Sequence, residues 1–329
     1  MKAATKPLLE VKHLKQYFSM KKESPFQKKQ YVKAVDDISF GVEEGTTLSI
    51  VGESGCGKST TGRAILRLDD PTEGEIHFQG RDLAKLSRRE LKDVRGDIQV
   101  IFQDPFASLN PRRTIRQMLN ESMKIQDVLP KSDREGRMLE LMTLVGLPPD
   151  SLERLPHEFS GGQRQRIGIA RALSVNPKMI ICDEAVSALD VSIQAQVLNL
   201  LKKLQKQFNM TYVFISHDLS VVRHISDRIM VMYLGKIVEI ADKHSLFNKP
   251  SHPYTKALLS AIPVPDLDVA RKEIEITGDV PSPINPPSGC RFHTRCPFAT
   301  DHCRNIEPEL RELDDGHLVG CHYAEKLSI

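Results

Sequence analysis

Apolar and polar residues alternate over residues 9–14 and again over 34–42, the period of two that marks strands with one buried face, and residues 47–51 form a short apolar run. Between the first two strands, residues 19–30 are basic and polar and read as an exposed loop. Residues 59–67 have helical character, whereas 75–78 and 97–102 read as short strands. From about 111 to 155 the period lengthens to 3.6, with Met138, Leu141, Met142 and Val145 on one face, which predicts a helical insertion. A second amphipathic helix spans 163–173 and a buried strand 179–182. Ile193, Val197, Leu200, Leu201 and Leu204 then mark a further helical face, and 211–216 a strand rich in β-branched and aromatic residues. Strands that alternate with helices predict a parallel sheet covered on both faces, so the fold class is α/β. Residues 229–232 and 237–240 flank a turn at Gly235 and close the main domain near 241. Beyond it come a proline-bracketed link at Pro250 and Pro253, a helix over 254–262 and a proline-rich stretch over 281–287.

Composition narrows this picture only slightly. A net charge of +3 on a chain that is 27% charged leaves no footprint of nucleic-acid binding and no polybasic membrane anchor. Residues 1–10 lack the apolar run of a secretory signal, and no stretch approaches the ~20 apolar residues needed to span a bilayer. The chain is therefore expected in the cytosol, held at any membrane by other subunits. Two cysteines, Cys56 and Cys182, stand alone, and four gather late as Cys290, Cys296, Cys303 and Cys321. In a reducing compartment such a group points to a metal or cluster before disulfides.

The chemistry begins after the third strand. Gly52-Glu53-Ser54-Gly55-Cys56-Gly57-Lys58-Ser59, followed by Thr60, fits the phosphate-loop pattern in full, with a strand before it and a helix after. Glycines let such a loop turn its backbone N–H groups onto phosphates, and the helix adds its positive end. Lys58 would reach the β- and γ-phosphates and Ser59 would offer a hydroxyl to Mg²⁺. Cys56 occupies a variable position and reads as a space-filler. Asp183 and Glu184 end the apolar strand at 179–182, the strand end at which open α/β sheets bind ligands. Asp183 suits Mg²⁺, and Glu184 suits the attacking water.

Ser160-Gly161-Gly162-Gln163-Arg164, a glycine-bearing turn opening a helix, resembles the signature sequence of ABC ATPases, with Phe159 where leucine is common. In that family two cassettes pack head to tail, so the resemblance implies that Ser160, Gly161, Gly162 and Gln163 serve the nucleotide held by a second cassette. It further implies that Gln103 touches Mg²⁺ or the attacking water and that His217 contacts the γ-phosphate. Ser187-Ala188-Leu189-Asp190 matches the loop that crosses the dimer interface, and Tyr17 or Phe18, with Val32 nearby, would meet adenine. Ala185 departs from the proline common after the glutamate. The implied fold is a P-loop NTPase (RecA-like) core with an antiparallel β subdomain and a helical subdomain at about 105–165. Residues 1–245 would form the ABC nucleotide-binding domain and 246–329 a cysteine-bearing C-terminal extension.

Ser251-His252-Pro253-Tyr254-Thr255 and the run from Gly289 to Ala299 resemble the tail of dipeptide and oligopeptide permease ATPases. The resemblance implies an ATPase that drives peptide import with two transmembrane permease subunits and a second ATPase subunit, as a heterodimer. An extracytoplasmic substrate-binding protein would complete the assembly, and the chain would lie peripherally on the cytoplasmic face of the cell membrane. Nickel and glutathione importers share this architecture; a soluble ABC ATPase acting on DNA or ribosomes is the rival class. The cysteines read C-x5-C-x6-C-x17-C, looser than the paired C-x2-C spacing of typical zinc sites. The family implies a [4Fe-4S] cluster there, with Zn²⁺ held by cysteine alone or with His293, His302, His317 or His322, a disulfide, or vestigial cysteines as the alternatives.

Overall fold

A computed structural model describes residues 6–21, 26, 29–261, 276 and 278–327. The chain divides into two compact units, one comprising 1–7, 42–47 and 85–216, the other 8–41, 48–84 and 217–329.

In the first unit, strands Ile98–Ile101, Met179–Asp183 and Thr211–Ile215 lie parallel, with Ile181 opposite both Val100 and Val213. All but Asp183 of the middle strand is buried, the continuous apolar run of a strand covered on both faces. The helical period at 111–155 resolves into helices Ile115–Gln126 and Arg134–Leu144 and a 3₁₀ turn, Pro149–Glu153. Met138, Leu141, Met142 and Val145 are buried as their spacing requires. Thr114 begins the first of these helices: its hydroxyl accepts the Gln117 N–H while the Gln117 side chain accepts the Thr114 N–H. Helix Arg88–Arg95, with its own capping box at Ser87 and Glu90, was not apparent in the sequence; one buried pair, Leu91 and Val94, is too short a stripe to announce it.

The second unit holds two sheets. One is antiparallel and four-stranded, with Leu9–Ser19 between Tyr31–Val42 and Glu73–Phe78, and Arg81–Asp82 at an edge. The first two strands exceed the 9–14 and 34–42 expected, and in the first Lys15 still pairs with Glu73. The exposed loop expected at 19–30 is described only in part; Met20 N–H reaches the Gln30 carbonyl at 2.9 Å, and residues 22–25 and 27–28 lie outside the described residues. In the other sheet, Thr47–Val51 runs parallel to Arg228–Tyr233, which turns back as Lys236–Asp242. The chain then adds His317–Val319 and Arg311–Asp314 to the same sheet, Glu239 opposite Val319. These two late strands alternate weakly and were not expected. Helix Pro253–Ser260 bears out the helix expected at 254–262, whose last residue lies outside the described ones. Tyr233 meets Tyr254 and Phe292 edge-on, and the latter two meet tilted, at centroid separations of 4.8–5.3 Å; all three are at most 1% exposed, which fastens the late segment to the strand pair.

Candidate functional site

The phosphate loop lies in the second unit between strand Thr47–Val51 and helix Lys58–Ile65. Gly52, Gly55 and Gly57 all have positive φ. A Cβ on Gly52 would meet the Met232 carbonyl oxygen at 2.2 Å, and one on Gly57 the Ala34 carbonyl oxygen at 2.2 Å. Glycine is thus demanded there by both conformation and space. Lys58 is 5% exposed and its ammonium donates to the carbonyls of Gly52 (2.8 Å) and Glu53 (2.9 Å), so the loop wraps around its own lysine. Thr61 Oγ1 and N–H both reach the Gly57 carbonyl at 2.9 Å and tie the helix start to the loop. Ser54 and Gly55 are exposed; Glu53, Ser59 and Thr60 are half-buried. Cys56 is buried, and burial pushes its thiol up, in keeping with a space-filler.

On the wall formed by the antiparallel sheet, the Tyr17 hydroxyl donates to Asp36, and Lys33 Nζ sits 5.8 Å from the Tyr17 ring centroid. Burial and the neighbouring Asp36 carboxylate push the Tyr17 phenol up. Burial alone would raise Asp36, but the Tyr17 hydrogen bond and the Arg291 guanidinium hold its carboxyl below the usual range. Phe18 is exposed and Val32 half-exposed. His217 follows the strand Thr211–Ile215 and is exposed.

The first unit carries the other acidic and polar candidates. Asp183 ends its strand, and Glu184, next to it, adopts a left-handed backbone, φ 49°. For a residue other than glycine that costs roughly 1–3 kcal/mol and is concentrated at functional sites. The conformation is held by Glu184 N–H to the Ile215 carbonyl (3.0 Å) and by Ser187 Oγ to the Glu184 carbonyl (3.0 Å). Gln103 donates from Nε2 to Glu184 Oε2 at 3.0 Å, a contact across 81 positions that no sequence pattern could announce. Ala185 is buried and fits without the proline of the family pattern.

Ser160 begins helix Gly161–Leu173 with a capping box, its hydroxyl accepting the Gln163 N–H while Gln163 Oε1 accepts the Ser160 N–H. Ser160 and Gly161 are exposed. Gly162 is required by packing, because a Cβ there would lie 2.4 Å from Ile193 Cγ2. Phe159 is buried beneath the Arg154 guanidinium, 4.4 Å from the ring centroid, which accommodates the larger side chain. Asp190, exposed, opens helix Val191–Phe208.

Cys290, Cys296, Cys303 and Cys321 line one small cavity with His293 and His322. No three histidine, cysteine or carboxylate donors around it lie within 4.8 Å of one another, among the described residues. Tetrahedral zinc, at about 2.3 Å from each sulfur, needs them roughly 3.8 Å apart. The donors therefore do not fit the zinc alternative, with or without histidine. His317 is engaged elsewhere, 2.7 Å from Glu239. Burial pushes the thiols of Cys290 up to about 12 and Cys296 up to about 11, and none of the six cysteines forms a disulfide.

Residues 35–187, which contain the loop, the strand-end carboxylates and the serine-opened helix, match the family described as ABC transporter. Residues 238–303 match a second family, oligopeptide/dipeptide transporter, C-terminal region. Over 318 residues the chain is 55% identical to the oligopeptide transport ATP-binding protein AppF of Bacillus subtilis (strain 168), covering 96% of this chain and 97% of that one. It is 54% identical to the oligopeptide transport ATP-binding protein OppF of Haemophilus influenzae, with 95% and 96% covered. Among solved structures, the ATP-binding cassette MJ0796, a dimer in a post-hydrolysis state bound to ADP and Pi, superposes with a TM-score of 0.63 at 30% identity, over 71% of this chain and 98% of that one. The chain belongs to the family of ABC ATP-binding proteins of oligopeptide and dipeptide transporters.

Proposed function

We propose that this chain binds and hydrolyses ATP to power the import of peptides through an ABC transporter. The observation that carries the reading is the coexistence, on one chain, of the ABC transporter match at 35–187 and the oligopeptide/dipeptide transporter C-terminal region at 238–303. Near-full-length identity to peptide-transport ATP-binding proteins supports the cargo class over nickel or glutathione. No helix among the described residues is long and apolar enough to cross a membrane. Two permease subunits would therefore form the path and hold this chain peripherally on the cytoplasmic face, with an extracytoplasmic binding protein delivering the peptide.

In the proposed mechanism the backbone of Gly52 to Ser59 cradles the phosphates and Lys58 exchanges its loop carbonyls for phosphate oxygens. Tyr17, flanked by Phe18 and Val32, packs against adenine. Ser59 and Asp183, with Gln103, supply the hard oxygen donors that suit Mg²⁺, which would neutralise charge building on the β- and γ-phosphates. Glu184 orients and deprotonates the attacking water, and Gln103, bonded to its carboxylate, steadies it. His217 stabilises the γ-phosphate. Ser160, Gly161, Gly162, Gln163 and Asp190 face the nucleotide of a second, different cassette, so that each chain is complete only in company. The four late cysteines, which line one cavity, are proposed to hold the iron–sulfur group that the family resemblance implies; metal and sulfide analysis of anaerobically purified protein, finding neither, would remove it.

Reconstitution of the chain with its permease and partner cassette in vesicles tests the function. Peptide uptake that requires ATP is expected; uptake of nickel or glutathione with no uptake of peptide would overturn the cargo assignment.

A further inference from the structure

The loop from Cys290 to Cys296 carries two arginines that reach different walls of the same unit. Arg295 donates through Nη1 and Nη2 to the two carboxylate oxygens of Glu53, at 2.8 and 3.2 Å. Glu53 is the first variable position of the phosphate loop, and its backbone N–H donates to the Tyr254 hydroxyl at 2.9 Å. Arg291, 8% exposed, donates to the Leu234 carbonyl and to Asp36, whose other carboxylate oxygen takes the Tyr17 hydroxyl. Phe292, between the two arginines in sequence, is buried against Tyr233 and Tyr254 and anchors the loop.

Two physical consequences follow. A planar guanidinium that meets a carboxylate with two parallel bonds fixes the orientation of both partners, as a lysine cannot. A carboxylate on a loop that must receive a triphosphate would also repel it, and Arg295 neutralises that carboxylate at a side-chain exposure of 10% against 27% for Glu53. A merely solvated Glu53 carboxylate would not need the fork.

We propose that the cysteine-bearing loop is part of the nucleotide site, with Arg295 positioning and neutralising Glu53 on the phosphate loop and Arg291 positioning Tyr17 through Asp36. The inference rests on the reading of residues 52–59 and Tyr17 as the ATP site. It makes two positioning residues of a tail segment that the ATPase motifs do not include.

Equilibrium binding of MgATP and of magnesium triphosphate to the full-length chain tests it, with melting temperatures recorded alongside. Arg295→Gln is expected to weaken both ligands about tenfold, the worth of one charge-assisted contact. Adding Glu53→Gln should restore triphosphate binding to within about threefold of wild type, since the unpaired charge is then gone. Arg291→Gln should weaken MgATP about tenfold and leave triphosphate within about twofold, because only the base side is loosened. Wild-type affinities in both single variants, even with lowered melting temperatures, would reduce the loop to a packing element and overturn the proposal. A loss in Arg295→Gln that Glu53→Gln does not relieve, or an equal loss of both ligands in Arg291→Gln, would likewise overturn the corresponding half. If either glutamine variant fails to fold, the lysine variants decide: each keeps the charge and loses the guanidinium's two-point contact, the Glu53 fork for Arg295 and the Leu234–Asp36 bridge for Arg291. Arg295→Lys should then cost triphosphate affinity, and Arg291→Lys MgATP affinity, about two- to threefold, and unchanged binding contradicts the proposal. A wild-type chain that binds neither ligand would instead overturn the ATP-site reading itself.

Discussion

At the scale of single residues, the phosphate loop is shaped by what cannot be added to it. Gly57 has φ +106° and room for no Cβ, since the Ala34 carbonyl stands 2.2 Å away. Gly57→Ala is expected to deform the loop and reduce MgATP affinity at least about tenfold, read by equilibrium binding, whereas Gly55→Ala, whose Cβ would meet nothing within 4 Å but whose φ is +78°, should cost less. The loop glycines, Lys58 and Ser59 were legible in the sequence because their spacing is local. The left-handed backbone of Glu184 and its bond from Gln103 were not, because they depend on which strand ends the fold brings together. Glu53 illustrates the same limit: its position in the loop is plain, and the arginine that clamps it lies 242 positions away.

At the scale of elements, helix starts carry much of the local order. Thr114 closes a capping box with Gln117 at the head of helix Ile115–Gln126, outside the residues proposed to touch nucleotide. Thr114→Ala is expected to lower stability by about 1 kcal/mol, measured by denaturant unfolding, and to leave ATP affinity unchanged. The helices and strands with a long period were readable, as the buried Met138, Leu141 and Met142 attest. Short elements were not: Arg88–Arg95 offers two buried residues, and His317–Val319 is too brief to show alternation. The latter joins the sheet through a buried pair instead. Glu239, 0% exposed, accepts the backbone N–H groups of Ser251 (2.7 Å) and His252 (3.0 Å) and lies 2.7 Å from His317 Nε2.

That pair gives the second unit a pH dependence at the scale of the molecule. The Glu239 hydrogen bond raises the His317 pKa above its ordinary 6.5, against the effect of burial. Its folded pKa exceeds its unfolded one, so its stabilisation is full below about pH 6.5 and is lost as pH rises through the folded value. Burial works the other way on His252, lowering it to about 4, so unfolding takes up protons between about pH 6.5 and 4 and stability falls as the solution is acidified through that window. Melting temperatures across pH should therefore fall on both sides, and His317→Gln should flatten the alkaline side alone. Phe292 makes the companion test: buried at 1% exposure between two tyrosines, its replacement by alanine is expected to cost about 3–5 kcal/mol of unfolding free energy.

The account as a whole stands on Glu184 as the residue that turns bound ATP into transport. In the reconstituted complex, with the partner cassette's own site disabled, Glu184→Gln is predicted to retain ATP while hydrolysis falls about 100-fold or more and peptide uptake stops. Undiminished hydrolysis and uptake in that variant would contradict it.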